Sequence, residues 1–86
     1  MKRIIESEEI SGLEALLGEK VLLLCANYFY AGKLKGVNKT CVELEDPSIV
    51  YETGVWDSKS YGDAQKLHAK VWYVDTASIE SFGPGK

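Results

Sequence analysis

One stretch constrains this chain more than any other: Lys20-Val21-Leu22-Leu23-Leu24-Cys25-Ala26. From Val21 to Ala26 the apolar residues run without alternation, so a strand here is buried on both faces. A chain of 86 residues makes one domain with room for one modest core. The cover for the second face is therefore expected from nearby sequence. Ile10, Leu13, Leu16 and Leu17 fall on one face at helical spacing. Ser11-Gly12-Leu13-Glu14 fits a capping box, in which hydroxyl and carboxylate satisfy free backbone N–H groups. Gly18 supplies a left-handed stop. The spacing predicts a helix over 10–18, preceded by a charged extension over 1–9. A helix that short is unstable alone. One face of the strand is thus expected to meet the core and the other face the helix.

The next segment sets the curvature. From Tyr28 to Val37, Tyr30, Gly32, Leu34 and Gly36 lie on one side and Lys33 and Lys35 on the other. Two glycines on the inner face predict a strongly bent strand, as at a barrel corner. Val37-Asn38-Lys39-Thr40-Cys41 is a tight connection. Val42 and Leu44 then point inward with Glu43 and Glu45 outward, a half-buried strand. Asp46-Pro47 is expected to break the ladder before a further strand from Ile49 to Thr53. Residues 56–69 are polar and turn-rich and read as a long hairpin tip or surface loop. Lys70–Val74 is a strand, Asp75-Thr76-Ala77 a short turn, and Ser78–Phe82 the last strand. The expected fold is mostly β: a short N-terminal helix followed by a strongly bent, five-stranded antiparallel sheet forming a small open barrel.

Charge and composition exclude some functions. The net charge is −3, whereas a dedicated duplex-DNA binder is basic, so any phosphate contact rests on a local cluster. The longest apolar run is far short of the roughly 20 residues a bilayer needs. Met1-Lys2-Arg3-Ile4-Ile5-Glu6 reaches a carboxylate at once, unlike a secretory signal. Cys25 and Cys41 read as small hydrophobes in a reducing, cytoplasmic setting, with a disulfide as the alternative. His68 stands between Leu67 and Ala69 with no nucleophile or orienting carboxylate marked beside it. Two cysteines and one histidine do not match zinc spacing. Glu43, Glu45 and Asp46 read as a solvated strand face rather than an acid–base pair. Gly32-Lys33-Leu34-Lys35-Gly36 is a bent strand and not a phosphate loop. No catalytic set, metal site or cofactor is expected, and the chain does not read as an enzyme.

Two features favour single-stranded nucleic acid. Lys33, Lys35 and Lys39 cluster around the bent strand and its loop, and Tyr28, Phe29 and Tyr30 open that strand. Lysines neutralise phosphates and aromatics stack on bases. The alternative stays open: lysines that solvate an outer face, and tyrosines that pack the barrel. Trp56 and Tyr61, on the loop from Trp56 to Gln65, are anchor-type residues for a protein partner.

The order of elements resembles the Sm-like family. Leu16-Leu17-Gly18-Glu19-Lys20-Val21 resembles that family's helix end and first strand. Tyr30-Ala31-Gly32-Lys33-Leu34-Lys35-Gly36-Val37-Asn38, closing with Val42-Glu43-Leu44-Glu45-Asp46, resembles its first motif, and the region 20–55 corresponds to that motif with its strand extension. Val71–Ile79 occupies the place of the second motif, within 70–82, and the variable loop falls at 56–69. Glu80-Ser81-Phe82-Gly83-Pro84-Gly85 is similar to the tail of small Sm-like proteins encoded by phages of cyanobacteria. The resemblance implies a homo-oligomeric ring of five to seven subunits, in which Lys70–Val74 pairs with Ser78–Phe82 of a neighbour. Val71, Trp72, Tyr73, Val74, Ile79 and Phe82 would form that interface. It also implies binding of single-stranded RNA, with Asn38, Lys39 and Thr40 in the contact loop and Asp75 and Thr76 lining the pore; Tyr28, Tyr30, Lys33 and Lys35 complete the expected set. Two departures fall where the family grips uridine-rich RNA. The loop after Asn38 is one residue shorter, and the place of the family's loop asparagine falls near Thr40 or Cys41, so that asparagine is missing or displaced. The Arg-Gly of the second motif is replaced by the acidic Asp75-Thr76. A protein-interaction ring of the same fold, without RNA, is the rival reading.

Overall fold

The computed structural model describes residues 12–86. Ser11 of the expected capping box, Ile10 and the extension 1–9 lie outside the described residues. One helical turn, α1 (Gly12–Ala15), leads into six strands: β1 (Lys20–Cys25), β2 (Phe29–Val37), β3 (Cys41–Glu52), β4 (Asp63–Lys66), β5 (Val71–Asp75) and β6 (Ile79–Pro84). A 3-10 turn, Thr76–Ser78, joins β5 to β6. All six strands form one antiparallel sheet in the order β4-β3-β2-β1-β6, with β5 on β3 beside β4. The sheet does not close into a barrel.

Three expectations are corrected. Asp63–Lys66, expected inside a loop over 56–69, is a fourth strand paired to Ser48–Glu52, so the sheet has six strands rather than five. All four of its side chains are exposed, so no apolar alternation marked it in the sequence. Asp46-Pro47 does not end a strand; β3 runs through it for 12 residues. Asp46 takes a left-handed φ of 53° and Pro47 is buried. Here β3 changes partner: Cys41–Glu45 pair with β5, while Ser48–Glu52 pair with β4. The ladder is bridged by the Asp46 N–H donating to the Lys70 carbonyl (3.1 Å) and the Leu67 N–H donating to the Pro47 carbonyl (2.9 Å). The proline's missing N–H is thus placed where the strand swaps neighbours. Gly32 of β2 lies against this kink. A Cβ there would sit 3.0 Å from the Glu45 carbonyl oxygen and 3.2 Å from the Leu44 Cβ, so only glycine lets β2 pass the bend unhindered.

The third correction concerns the cover for β1. Its burial on both faces is as expected: Val21, Leu22, Leu23 and Cys25 are buried. The helical turn, however, lies on the core side. Val21, Leu23, Cys25, Leu34, Val42, Leu44 and Val74 form the main core, and Leu13 and Leu16 pack against it. The opposite face carries a second cluster of Leu22, Ala31 and Val50, covered by Leu24, Phe29 and Tyr61. Among the described residues the second face of β1 is therefore sheltered by Tyr61, from the segment after β3, and not by the helical turn. Each fully buried leucine or valine contributes about 1.5–3 kcal/mol. The helical turn ends at Gly18, with φ of 86°, whose N–H donates to the Leu34 carbonyl (2.8 Å) and so carries the chain straight into the β1–β2 ladder.

Candidate nucleic-acid interface and sheet edges

Two loops meet at one end of the sheet. In the β2–β3 turn the Asn38 Oδ1 accepts from the Thr40 N–H (2.7 Å), the Thr40 hydroxyl (3.0 Å) and the Cys41 N–H (2.8 Å). One side-chain oxygen thus organises the whole turn, which is the physical reason for asparagine here. The β5–β6 turn is tied to it: the Thr76 hydroxyl donates to the Lys39 carbonyl (2.9 Å) and the Thr76 N–H to the Thr40 carbonyl (2.9 Å). Asn38, Lys39, Thr40, Asp75 and Thr76 are therefore brought together. The Asn38 side-chain oxygen is consumed by the turn. Its amide nitrogen, the Lys39 ammonium and the Asp75 carboxylate are exposed polar groups of this loop pair.

The other expected residues lie elsewhere. Tyr28 and Tyr30 stack edge to face, with ring centroids 6.4 Å apart, at the opposite end of β2. Nine strand residues separate the two ends, up to about 30 Å at roughly 3.3 Å per residue. Tyr30 packs against the main core, and burial, with Cys25 and Tyr28 adding, raises its phenol above the ordinary value of 10.0. Tyr28 is exposed and lines a shallow groove of about 220 Å³ with Asn27, Phe29, Val50 and Tyr51. Lys33 and Lys35 are exposed, and the Lys35 ammonium lies 3.6 Å from the Glu45 carboxylate. Such an exposed pair contributes little. The nine residues thus form a loop pair, an outer lysine row and a distal tyrosine pair, not one surface.

The interface set also divides. Val74 is buried in the main core and Ile79 packs on it. Trp72 lies opposite Leu44, and Phe82 opposite Leu23, so both share the core face of the sheet. Trp72 nevertheless stays 40% exposed and Phe82 42%. Among the described residues β5 is hydrogen-bonded to β3 alone and β6 to β1 alone, so each keeps an unpaired outer edge. Val71 and Tyr73 face the other side, Tyr73 being 61% exposed. The Tyr73 hydroxyl donates to the Glu43 carboxylate (3.1 Å), which holds the phenol above its ordinary value. That contact was not legible in the sequence, since Glu43 reads only as a solvated position.

Cys25 and Cys41 are free thiols, and burial raises the Cys25 thiol above 9.0. Among the described residues no group of three or more His, Cys, Asp and Glu side chains could hold a metal ion. Among the described residues no helix is long and apolar enough to cross a membrane. No family model and no curated protein matches this chain.

Proposed function

We propose that the chain is a non-enzymatic, Sm-like subunit that assembles into a homo-oligomeric ring and binds single-stranded RNA through the joined 38–40 and 75–76 loops. One observation carries the reading: among the described residues β5 and β6 each keep an unpaired edge, and the core-face aromatics Trp72 and Phe82 on those strands are only partly covered. An unpaired edge is a pairing hazard unless a partner takes it. A second copy offering β6 to β5 would satisfy both edges and cover both rings. That contact is heterologous and makes a closed ring when the rotation closes. The joined loops of every subunit would then lie at one end of the assembly, so that weak contacts from Lys39 and the Asn38 amide multiply. The free thiols fit a cytoplasmic setting.

Light scattering behind a sizing column tests the ring. A mass of five to seven times 9.5 kDa supports it, and a monomer overturns it. Titration of labelled oligo-uridine and oligo-adenine at low salt then tests RNA binding, with Lys39→Ala expected to weaken it. Absence of saturable binding to either oligonucleotide from an intact ring sinks the RNA reading. The rival, a protein-interaction ring, draws on Trp56, which is 69% exposed beside a groove lined by Leu22, Leu24 and Phe82. Tyr61 is packed and hydrogen-bonded, so Trp56→Ala is the cleaner probe; loss of a protein partner with RNA affinity unchanged supports the rival.

A further inference from the structure

The loop between β3 and β4 folds around a single ammonium group. The Lys86 Nζ donates to three backbone carbonyl oxygens, those of Thr53 (2.7 Å), Val55 (2.8 Å) and Ser60 (3.1 Å). A primary ammonium has three N–H donors, so each finds one acceptor. Two rings flank the same nitrogen, Tyr61 at 5.4 Å and Trp56 at 6.0 Å from the ring centroids, and the face of an aromatic ring attracts a cation. The approach is fixed as well. The Gly85 N–H donates to the Lys20 carbonyl (2.8 Å), the Lys86 N–H donates to the Tyr61 hydroxyl (3.1 Å), and a Cβ at Gly85 would sit 2.8 Å from the Val21 carbonyl oxygen. Only glycine lets the chain lie this close to β1 and aim the following side chain into the loop.

We infer that the 53–61 loop is a recognition site for a primary alkylammonium, with the Lys86 side chain as its resident ligand. Three convergent carbonyl oxygens make a tripod that suits –NH3+. A quaternary ammonium brings no N–H to them, and a planar guanidinium cannot point three N–H groups at one tripod. The seat is reachable from solvent, because Trp56 is 69% exposed and two of the three hydrogen bonds lie at the surface. Lys86 is therefore exchangeable: its removal or neutralisation opens the seat to a lysine of another chain. The inference depends neither on ring assembly nor on RNA.

The test uses the full chain carrying Lys86→Ala, with n-butylammonium chloride as probe and tetramethylammonium chloride at equal ionic strength as control. Amide shifts of residues 53–62 and Trp56 fluorescence should respond saturably, in the millimolar range, to n-butylammonium in the variant. The wild-type protein, whose seat is filled, should show less than a tenth of that response, and the control salt none. If the substitution instead lowers the urea midpoint too far for titration, n-butylammonium should restore the midpoint and tetramethylammonium should not. Equal responses to the two cations, or a folded variant that responds to neither, overturns the assignment.

Discussion

Replacing Asn38 separates a structural role from a ligand-binding one. Its side-chain oxygen accepts three hydrogen bonds, from the Thr40 N–H, the Thr40 hydroxyl and the Cys41 N–H. A typical net contribution is about 0.5–1.5 kcal/mol per bond, and exposed donors regain water, so about 0.5 kcal/mol each applies here. Asn38→Ala should therefore cost about 1.5 kcal/mol, comparable with removal of a helix cap. For a domain of this size each kcal/mol shifts the melting midpoint by about 4–8 °C, so the expected drop is about 6–12 °C. Asn38→Asp keeps the acceptor oxygen and should cost under about 0.5 kcal/mol. The assay is thermal unfolding followed by Trp fluorescence, all variants at one protein concentration because the proposed assembly would make the midpoint concentration-dependent. The reasoning fails if Asn38→Ala melts within 2 °C of wild type by this about 4–8 °C per kcal/mol scale, or if Asn38→Asp is equally damaging. If RNA contacts the Asn38 amide, Asn38→Asp retains stability and loses RNA affinity, which the Ala variant alone cannot separate.

Gly32→Ala should destabilise by about 1–3 kcal/mol, since its new methyl meets the kinked backbone of β3 at 3.0 Å; a urea midpoint unchanged from wild type would remove Gly32 from the account of the bend. Trp72→Lys puts a charge on the core-face side of the β5 edge and should break the proposed ring down to 9.5 kDa, while a ring that survives it would place the interface elsewhere. Alkaline pH should weaken the fold. Burial raises Cys25 above 9.0 and Tyr30 above 10.0, so the unfolded chain ionises first; their stabilisation is intact below those values and is lost as pH rises through the folded-state values. Urea midpoints from pH 7 upward should hold to about 9 and then fall, less steeply for Cys25→Ala; a flat profile to pH 10.5 would contradict this sign.

The sheet was legible wherever burial alternates or is complete. The apolar run Val21–Ala26 dictated a two-faced strand, and Val42 and Leu44 dictated the inward face of β3. What covers the second face of β1 was not legible, because Tyr61 reaches it across a loop whose length and polarity carry no period. β4 escaped notice for a related reason: its four residues are all exposed, held by the backbone ladder and by the Tyr51 hydroxyl donating to the Gln65 side chain (3.2 Å), neither of which leaves an apolar period. Asp46-Pro47 misled because a proline ends most ladders, and its use where a strand changes partner depends on tertiary neighbours. At the candidate site the loop pair Asn38–Thr40 and Asp75–Thr76 follows from motif order, yet Thr76 as its tie does not. The seat for Lys86 left no trace in sequence, since its acceptors are backbone carbonyls that any residue supplies.

The mid-strand change of partner in β3 divides the molecule's resistance to opening. The half paired with β5 rests on the main core, whereas the half paired with β4 rests on Leu22, Ala31 and Val50. Amide protons should therefore exchange in two tiers hinged at residues 46–47. Those of β4 and the distal half of β3 should exchange first, by a local opening that leaves the larger cluster closed. A small domain arranged in this way can release its 53–62 loop without unfolding, which separates the lifetime of that loop from the lifetime of the fold.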